Sequence, residues 1–358
     1  MNTATRRTTP PGLHCLDPHD APAEPPARVA RLAARRRTSK PRAALVWNPV
    51  AGAARDELPA VVSELEQTYE LAVFETSPER DADACAAAAL ASDPSLVIAA
   101  GGDGTVSLVA SRLIGGEVPL AVLPRGTANS FARALSIPLD LAGALENACK
   151  GQPHAIDTAR AAGRSVLLFA SVGFHAAAIG ETSREAKNRW GLLAYIATGL
   201  QQIAELEPFS LELETESEII RCKVTNVAVA NLAPLHTLFA QGPTAVCGDD
   251  GKLDVTLIAF DGLGSGIGTA LHLYRSGLSQ NPASRDDIGF LPVTRATLRT
   301  DPPQRVLIDG EDVGETPVTV ECVPRSLKVL VPAAPPSQSC DERKLDGLPE
   351  LEVEPKAE

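Results

Sequence analysis

Between residues 43 and about 150 the chain alternates short, unbroken apolar runs with stretches of helical periodicity, and this alternation constrains its fold more than any other feature. Ala43–Trp47, Leu71–Phe74, Ser95–Ala100 and Leu120–Leu123 read as strands. Asp56–Thr68 carries Leu58, Val61, Val62 and Leu65 at helical spacing; Glu79–Ser92 is an alanine-rich helix, Val106–Leu113 a third, and a fourth starts near Ser130. Strands that are apolar throughout have to be covered on both faces, so the pattern predicts a parallel sheet between two helical layers. After about residue 155 the rhythm changes. Val166–Ala170, Leu211–Glu216, Cys222–Ala230, Leu253–Phe260, Thr294–Arg299, Arg305–Ile308, Val318–Glu321 and Leu327–Val331 read as strands joined mostly by turns, with one helical stretch over Ala186–Ile203. Many short strands without helices between them predict an antiparallel sandwich.

The fold class expected is therefore α/β: a parallel-sheet α/β domain over 43–154, an antiparallel β-sandwich over 155–332, and disordered tails at 1–42 and 333–358. The 358 residues suit two domains at about 150 residues each. Formal charge is −12, but unevenly spread: residues 1–42 sum to +6 and 333–358 to −4. The acidic balance argues against nucleic acid as the main partner, because phosphate backbones call for a basic face. No apolar run reaches the ~18 residues of a membrane-spanning helix, and the opening segment lacks the apolar core of a secretory signal. Its Arg28, Arg31, Arg35 and Arg36 could form a basic face toward anionic lipid headgroups. The seven scattered cysteines contain no C-x-x-C pair, which fits free thiols in a reducing cytoplasm. A homodimer is compatible with the sequence, which sets no oligomeric state.

Chemistry concentrates in the turns after the four parallel strands, the edge where open α/β sheets bind ligands. Gly101-Gly102-Asp103-Gly104-Thr105 stands directly between a strand and a helix, with Val106 and Ser107 continuing it. Glycines there let a ligand approach the backbone, whose N–H groups together with the positive helix end make an anion cradle. Thr105 adds a hydroxyl, and Asp103 could hold a magnesium ion or its water. The stretch is not a P-loop, since no Gly-Lys-Ser/Thr follows, nor the dinucleotide pattern, since Ser107 occupies the third glycine position. Similar donor-rich turns follow the other strands: Asn48-Pro49-Val50-Ala51-Gly52, Thr76, and Pro124-Arg125-Gly126-Thr127-Ala128-Asn129.

This set resembles the diacylglycerol kinase catalytic-domain family, which includes soluble bacterial lipid kinases and the sphingosine and ceramide kinases. Val172-Gly173-Phe174, Asp249-Asp250-Gly251-Lys252-Leu253-Asp254, Asp309-Gly310-Glu311 and Leu327–Pro332 are similar to later family motifs, so the resemblance spans roughly 43–332. It implies phosphorylation of a lipid hydroxyl by ATP with Mg2+, at a site between a Rossmann-like nucleotide-binding domain over 43–154 and the β-sandwich, in a cytoplasmic enzyme peripheral to the inner membrane face. Carried onto this chain, Asn48, Pro49, Gly52, Thr76, Gly101–Ser107, Gly126, Thr127 and Asn129 would contact ATP. Asp309 or Glu311 would be the general base, and Asp250, with carbonyls of Cys247 and Lys252, would hold magnesium.

Three departures stand out. Ser130 takes the place of an Asp common in the bacterial enzymes. Arg125 replaces a usual Leu and is expected to add a cation near the phosphates. The glycine-rich stretch ahead of the Asp-Gly motif reads Asn231-Leu232-Ala233-Pro234-Leu235-His236. Of the histidines, His175 alone adjoins a family motif, and Trp190 and Tyr195 read as packing residues. Two other readings stay open: an NAD kinase-like enzyme, which shares the Gly-Gly-Asp-Gly-Thr turn, and a non-catalytic lipid- or nucleotide-binding regulator.

Overall fold

A computed structural model describes residues 40–52, 57–173, 207–234, 246–279, 283–332 and 342–356. The sequence expectations for Phe174, His175, the 186–203 helix with Trp190 and Tyr195, Leu235, His236 and the tail residues 1–39, 333–341 and 357–358 lie outside them.

The first half is a β/α alternation: β1 (Arg42–Trp47), α1 (Leu58–Thr68), β2 (Glu70–Glu75), α2 (Ala82–Ala91), β3 (Leu96–Gly101), α3 (Asp103–Leu113), β4 (Leu120–Pro124), α4 (Ser130–Ala134) and α5 (Leu141–Lys150). The four strands run parallel in the order β2-β1-β3-β4. Successive residues point to opposite faces, and both faces are buried. Ala44, Val46, Val97, Ala99 and Val122 meet α2 and α3, while Leu45, Trp47, Ile98 and Leu123 meet α1 and α5. The chain turns outward from β1 to β2 and then crosses to β3, which makes the gap between the carboxyl ends of β1 and β3 the switch point of the sheet. Helix α5, whose Leu141, Ala144, Leu145 and Ala148 follow helical spacing, is not among the helices expected from the sequence; it is capped by Asp140, whose carboxylate accepts from the Gly143 amide at 2.8 Å.

The second half contains β5 (Gln152–Ala161), β6 (Arg164–Val166), β7 (Phe169–Val172), β8 (Phe209–Glu214), β9 (Glu218–Val224), β10 (Asn226–Ala230), β11 (Leu253–Ile258), α6 (Gly262–Ser279), β12 (Ile288–Val293), β13 (Arg295–Asp301), β14 (Arg305–Ile308), β15 (Glu311–Glu315), β16 (Val318–Val331) and β17 (Glu352–Pro355). One sheet, β12-β11-β10-β7-β14-β15, is antiparallel throughout. It packs on the strands β8, β9, β13 and β16 across a core of Val172, Leu211, Leu213, Ile220, Val227, Val255, Leu298 and Val320. The outcome is a parallel α/β layer followed by an antiparallel sandwich.

The two halves share a sheet. β16 pairs antiparallel with β13 and β5, then lies parallel beside β4 with Val329 opposite Leu120, giving eleven strands in one hydrogen-bonded sheet. The two strands expected at 318–321 and 327–331 are thus one; a bulge between Val323 and Leu327 absorbs Pro324, with Arg325 at φ +48°. Conversely, the single strand expected over 222–230 breaks at Thr225, whose N–H and hydroxyl both donate to the Ile258 carbonyl, so β9 and β10 lie in different sheets. Helix α6, which carries five glycines, is not among the elements expected from the sequence. Its Leu273 is buried against Ile258, Phe260, Ile288 and Phe290, and that burial outweighs poor helix propensity.

The expected tail over 333–358 needs correction for residues 342–356, which are part of the fold. Leu345 and Leu348 enter the sandwich core, Lys344 exchanges backbone hydrogen bonds with Phe290, and β17 pairs antiparallel with β9. Its acidic residues have partners: Glu350 pairs with Lys223 and Glu354 with Arg221. Among the described residues no helix is long and apolar enough to cross a membrane, and the cysteines are free.

Candidate active site

The switch point gathers three of the four expected turns. Asn48 donates its backbone N–H to the Ala100 carbonyl and its side-chain amide to the Thr105 hydroxyl at 2.9 Å, while its own Oδ1 accepts from Val50. Pro49 follows within the same turn. The Arg125 amide donates to the Gly101 carbonyl at 2.8 Å. The glycine turns then touch backbone to backbone: a Cβ on Gly126 would stand 2.7 Å from Gly102 Cα, and one on Gly52 2.9 Å from the Arg125 carbonyl oxygen. Only glycine allows that approach, and Gly52 at φ +61° also favours it.

Asp103 joins two of these turns, since its carboxylate accepts from the Phe131 amide of α4 at 3.1 Å. Asn129, left-handed at φ +49°, closes its turn on itself: Oδ1 accepts from Gly126 N–H at 2.7 Å and Nδ2 donates to the Gly126 carbonyl at 2.9 Å. Its polar atoms therefore shape the turn. Thr127 and Gly104 are exposed at the mouth. Thr76 lies one strand further out, its N–H donating to the Trp47 carbonyl.

Two expectations change. Val106 is buried in the core beneath α3, and its amide is spent on the Gly102 carbonyl at 3.0 Å, so neither side chain nor N–H faces a ligand. Arg125 does not present a cation to the turns either. Its side chain is 6% exposed, paired with Glu57 and stacked 5.1 Å from the Trp47 ring centroid.

The Asp309-Gly310-Glu311 turn joins β14 to β15 and faces α3 across a cleft of about 330 Å³. Asp103, Gly104, Ser107, Leu108, Ser111 and Phe131 line one side, and Arg164, Leu167, Leu168, Ile308, Asp309 and Glu311 the other. Asp309 is held tightly. Its carboxylate accepts the amides of Leu167 (2.9 Å), Leu168 (2.9 Å) and Phe169 (3.1 Å). Burial nevertheless pushes its pKa up to about 6, with the Asp103 carboxylate adding to the rise and the three amides opposing it. Glu311 is open to solvent and pairs with Arg164 at 2.6 Å. Asn231, fully buried, secures the loop that supplies those amides by donating to the carbonyls of Asp157 and Leu167. The roles of Arg164 and Asn231 leave little trace in sequence, because each depends on what lies across the cleft or beneath the loop.

Cys247, Asp250 and Lys252 lie elsewhere, and none of them lines the cleft. Their turn is pinned by Asp157, whose two oxygens accept from Gly251 and Arg325 at 2.6 Å each. The Cys247 thiol donates to Asp249, which also pairs with His154 at 3.0 Å, and Asp250 accepts from the Lys252 amide. Burial raises the Asp250 carboxyl, and nearby Asp157 and Asp249 raise it further. The charge suits a cation, but among the described residues no three His, Cys, Asp or Glu side chains converge as a metal site. Asp250 with backbone carbonyls is the donor set left to hold one.

Comparison with known proteins agrees with this arrangement. Residues 42–161 match the model of the diacylglycerol kinase catalytic domain, and residues 169–331 that of the YegS C-terminal NAD kinase beta sandwich-like domain. The chain is 36% identical over 301 residues to an uncharacterized Synechocystis protein, covering 80% of this chain and 70% of that one. It is 30% identical to a Pseudomonas syringae protein named probable lipid kinase YegS-like, over 87% of this chain and 97% of that one. The fold matches the crystal structure of a Bacillus anthracis diacylglycerol kinase with a TM-score of 0.63 at 22% identity, over 82% of this chain and 98% of that one. A glycine-turn cradle on a parallel sheet, a sandwich that returns a strand to that sheet, and these relatives place the chain in the YegS-like lipid kinase family, with its diacylglycerol kinase catalytic domain.

Proposed function

We propose that the protein transfers the γ-phosphate of ATP to the hydroxyl of a lipid, diacylglycerol-like or sphingoid, with residues 43–154 serving the nucleotide and 155–332 the acceptor. The observation that carries this reading is the single cleft shared by the α3 N-terminus and the Asp309/Glu311 turn. Phosphoryl transfer depends mainly on positioning and charge stabilisation. The amides of Gly102–Gly104 at the α3 N-terminus suit phosphate oxygens, and Leu108, Phe131 and Ile308 give the cleft apolar surface for the start of an alkyl chain. Thr76 and Thr127 are placed here at the nucleotide periphery. Magnesium, when bound with ATP, would neutralise phosphate charge; the separate turn at Asp250, with the Cys247 and Lys252 carbonyls, is proposed as a second cation position.

Asp309 and Glu311 then divide the work. With three amides on its carboxylate, Asp309 anchors the turn, and Glu311 presents its carboxylate to the acceptor. The acceptor oxygen forms a bond to the γ-phosphorus as the bond to the β,γ-bridging oxygen breaks; the hydroxyl proton passes to Glu311, and ADP leaves with the bonding pair. A general base of this kind contributes about 10²–10⁴-fold. The enzyme would work at a membrane surface in the cytoplasm without crossing the bilayer.

The test supplies purified protein with labelled ATP, Mg2+ and diacylglycerol, monoacylglycerol, sphingosine, ceramide or NAD. Label in a lipid is the expected result. Label in NAD alone, or in no acceptor, refutes the proposal. Glu311→Gln should lower kcat by about 100-fold or more with stability unchanged, whereas Asp309→Asn should lower both.

A further inference from the structure

Among the described residues lining the cleft there are three carboxylates, Asp103, Asp309 and Glu311, and a single cation, Arg164. Arg164 starts β6, directly after a tight turn with Ala162 at φ +49° and Gly163 at φ +74°, which carries the guanidinium across to Glu311. Both side chains are more than half exposed, at 53% and 65%. An ion pair so open to water contributes about 0–1 kcal/mol, so stability does not account for it, and either partner can be exchanged at little cost. Asp103 and Asp309, by contrast, are tied to backbone amides and cannot swing away. An incoming terminal phosphate would meet fixed negative charge with one mobile cation to offset it. A guanidinium forks onto phosphate oxygens with two parallel hydrogen bonds, and phosphate carries more charge than a carboxylate.

We propose that Arg164 is the γ-phosphate clamp of this cleft: it holds Glu311 while the site is empty and exchanges that carboxylate for the terminal phosphate of ATP, leaving Glu311 to take the acceptor proton. The proposal rests on the lipid-kinase reading for the proton step, but the clamp itself concerns nucleotide binding alone. No bond is made or broken in the exchange; one ion pair replaces another.

Nucleotide titration of the full chain by calorimetry, in the presence of Mg2+, tests it without turnover. Arg164→Ala should weaken ATP about tenfold, the loss of one charge-assisted pair, and leave ADP within about twofold, since ADP lacks the phosphate concerned. Arg164→Lys, which keeps the charge but not the fork, should fall between. Glu311→Gln removes the competing carboxylate and should tighten ATP about two- to fivefold, an effect that vanishes in the Arg164→Ala/Glu311→Gln double variant. Equal weakening of ATP and ADP, or no weakening of either, overturns the assignment, as does a Glu311→Gln gain that persists without Arg164. Failure of the wild-type protein to phosphorylate any lipid would sink the lipid-kinase reading instead, and the ATP–ADP difference would still decide for or against Arg164.

Discussion

Replacing Gly104 with alanine should move stability and activity in opposite directions. Gly104 is the second residue of α3, its φ is not positive, and a Cβ built on it meets nothing within 4 Å. The folded protein thus has room for the methyl group. Glycine inside a helix costs about 0.5–1 kcal/mol relative to alanine, and near a helix end about half of that is a fair expectation. For a chain of this size, ~0.5 kcal/mol raises the melting temperature by about 1 °C. The same open space is the mouth of the glycine-turn cleft, where Gly104 faces Asp309 and Glu311. A methyl group there would hold phosphate oxygens away from the α3 amides. Losing one such donor typically costs about 10²–10³-fold in rate, so kcat/KM for ATP should fall about 100-fold. Urea and thermal denaturation, run beside initial-rate kinetics on the same preparation, read both numbers. Full activity with the methyl in place would mean that no phosphate approaches Gly104, and the anion-cradle interpretation would fail. A clear loss of stability would refute the local geometry instead.

Gly126→Ala offers the contrast, because its Cβ would stand 2.7 Å from Gly102 Cα and 2.9 Å from Asn129 Oδ1. Forcing the turns apart should cost about 1–3 kcal/mol and lower activity together with stability, in the same pair of measurements. Asp309, pushed up to about 6 from an ordinary 3.8, gives a pH signature. The folded state holds that proton more tightly than the unfolded chain, so this group's share of stability is largest below pH ~4 and shrinks as pH rises through about 6. Relative to Asp309→Asn, the wild-type protein should lose about 2 kcal/mol between pH ~4.5 and ~7; urea midpoints that shift in parallel would contradict it. Removing residues 342–358 exposes the sites of Leu345 and Leu348 and uncovers β9. At about 1.5–3 kcal/mol for each buried leucine, a drop of several kcal/mol is expected in denaturant titrations, and an unchanged midpoint would show that the segment does not contribute to the core.

The parallel layer was legible in the sequence because its signal is local. Strands such as Leu96–Gly101 are apolar at every position, and the glycines at 101, 102 and 126 mark where a backbone comes close to something else. The order of turns and the resemblance they carry follow from the same short stretches. Elsewhere, local evidence misled. Arg125 looks like a phosphate cation until Trp47 and Glu57, remote in sequence, are seen to bury it. Val106 belongs to the turn by sequence and to the core by position, since a helix directs successive side chains around its axis. Gly262–Ser279 is not among the elements expected from the sequence; it is a helix whose five glycines are offset by the apolar surface beneath Leu273.

By itself, then, the sequence determined the alternating layer, the succession to a sandwich and the identity of the glycine turns, all of which are written in neighbours along the chain. Tertiary structure alone decided that β16 knits both halves into one sheet, that residues 342–356 close the sandwich, and that Asp309 lies on three amides while Arg164 reaches Glu311. Each of these joins residues far apart in sequence, where periodicity is silent and the partner across the gap sets the energy.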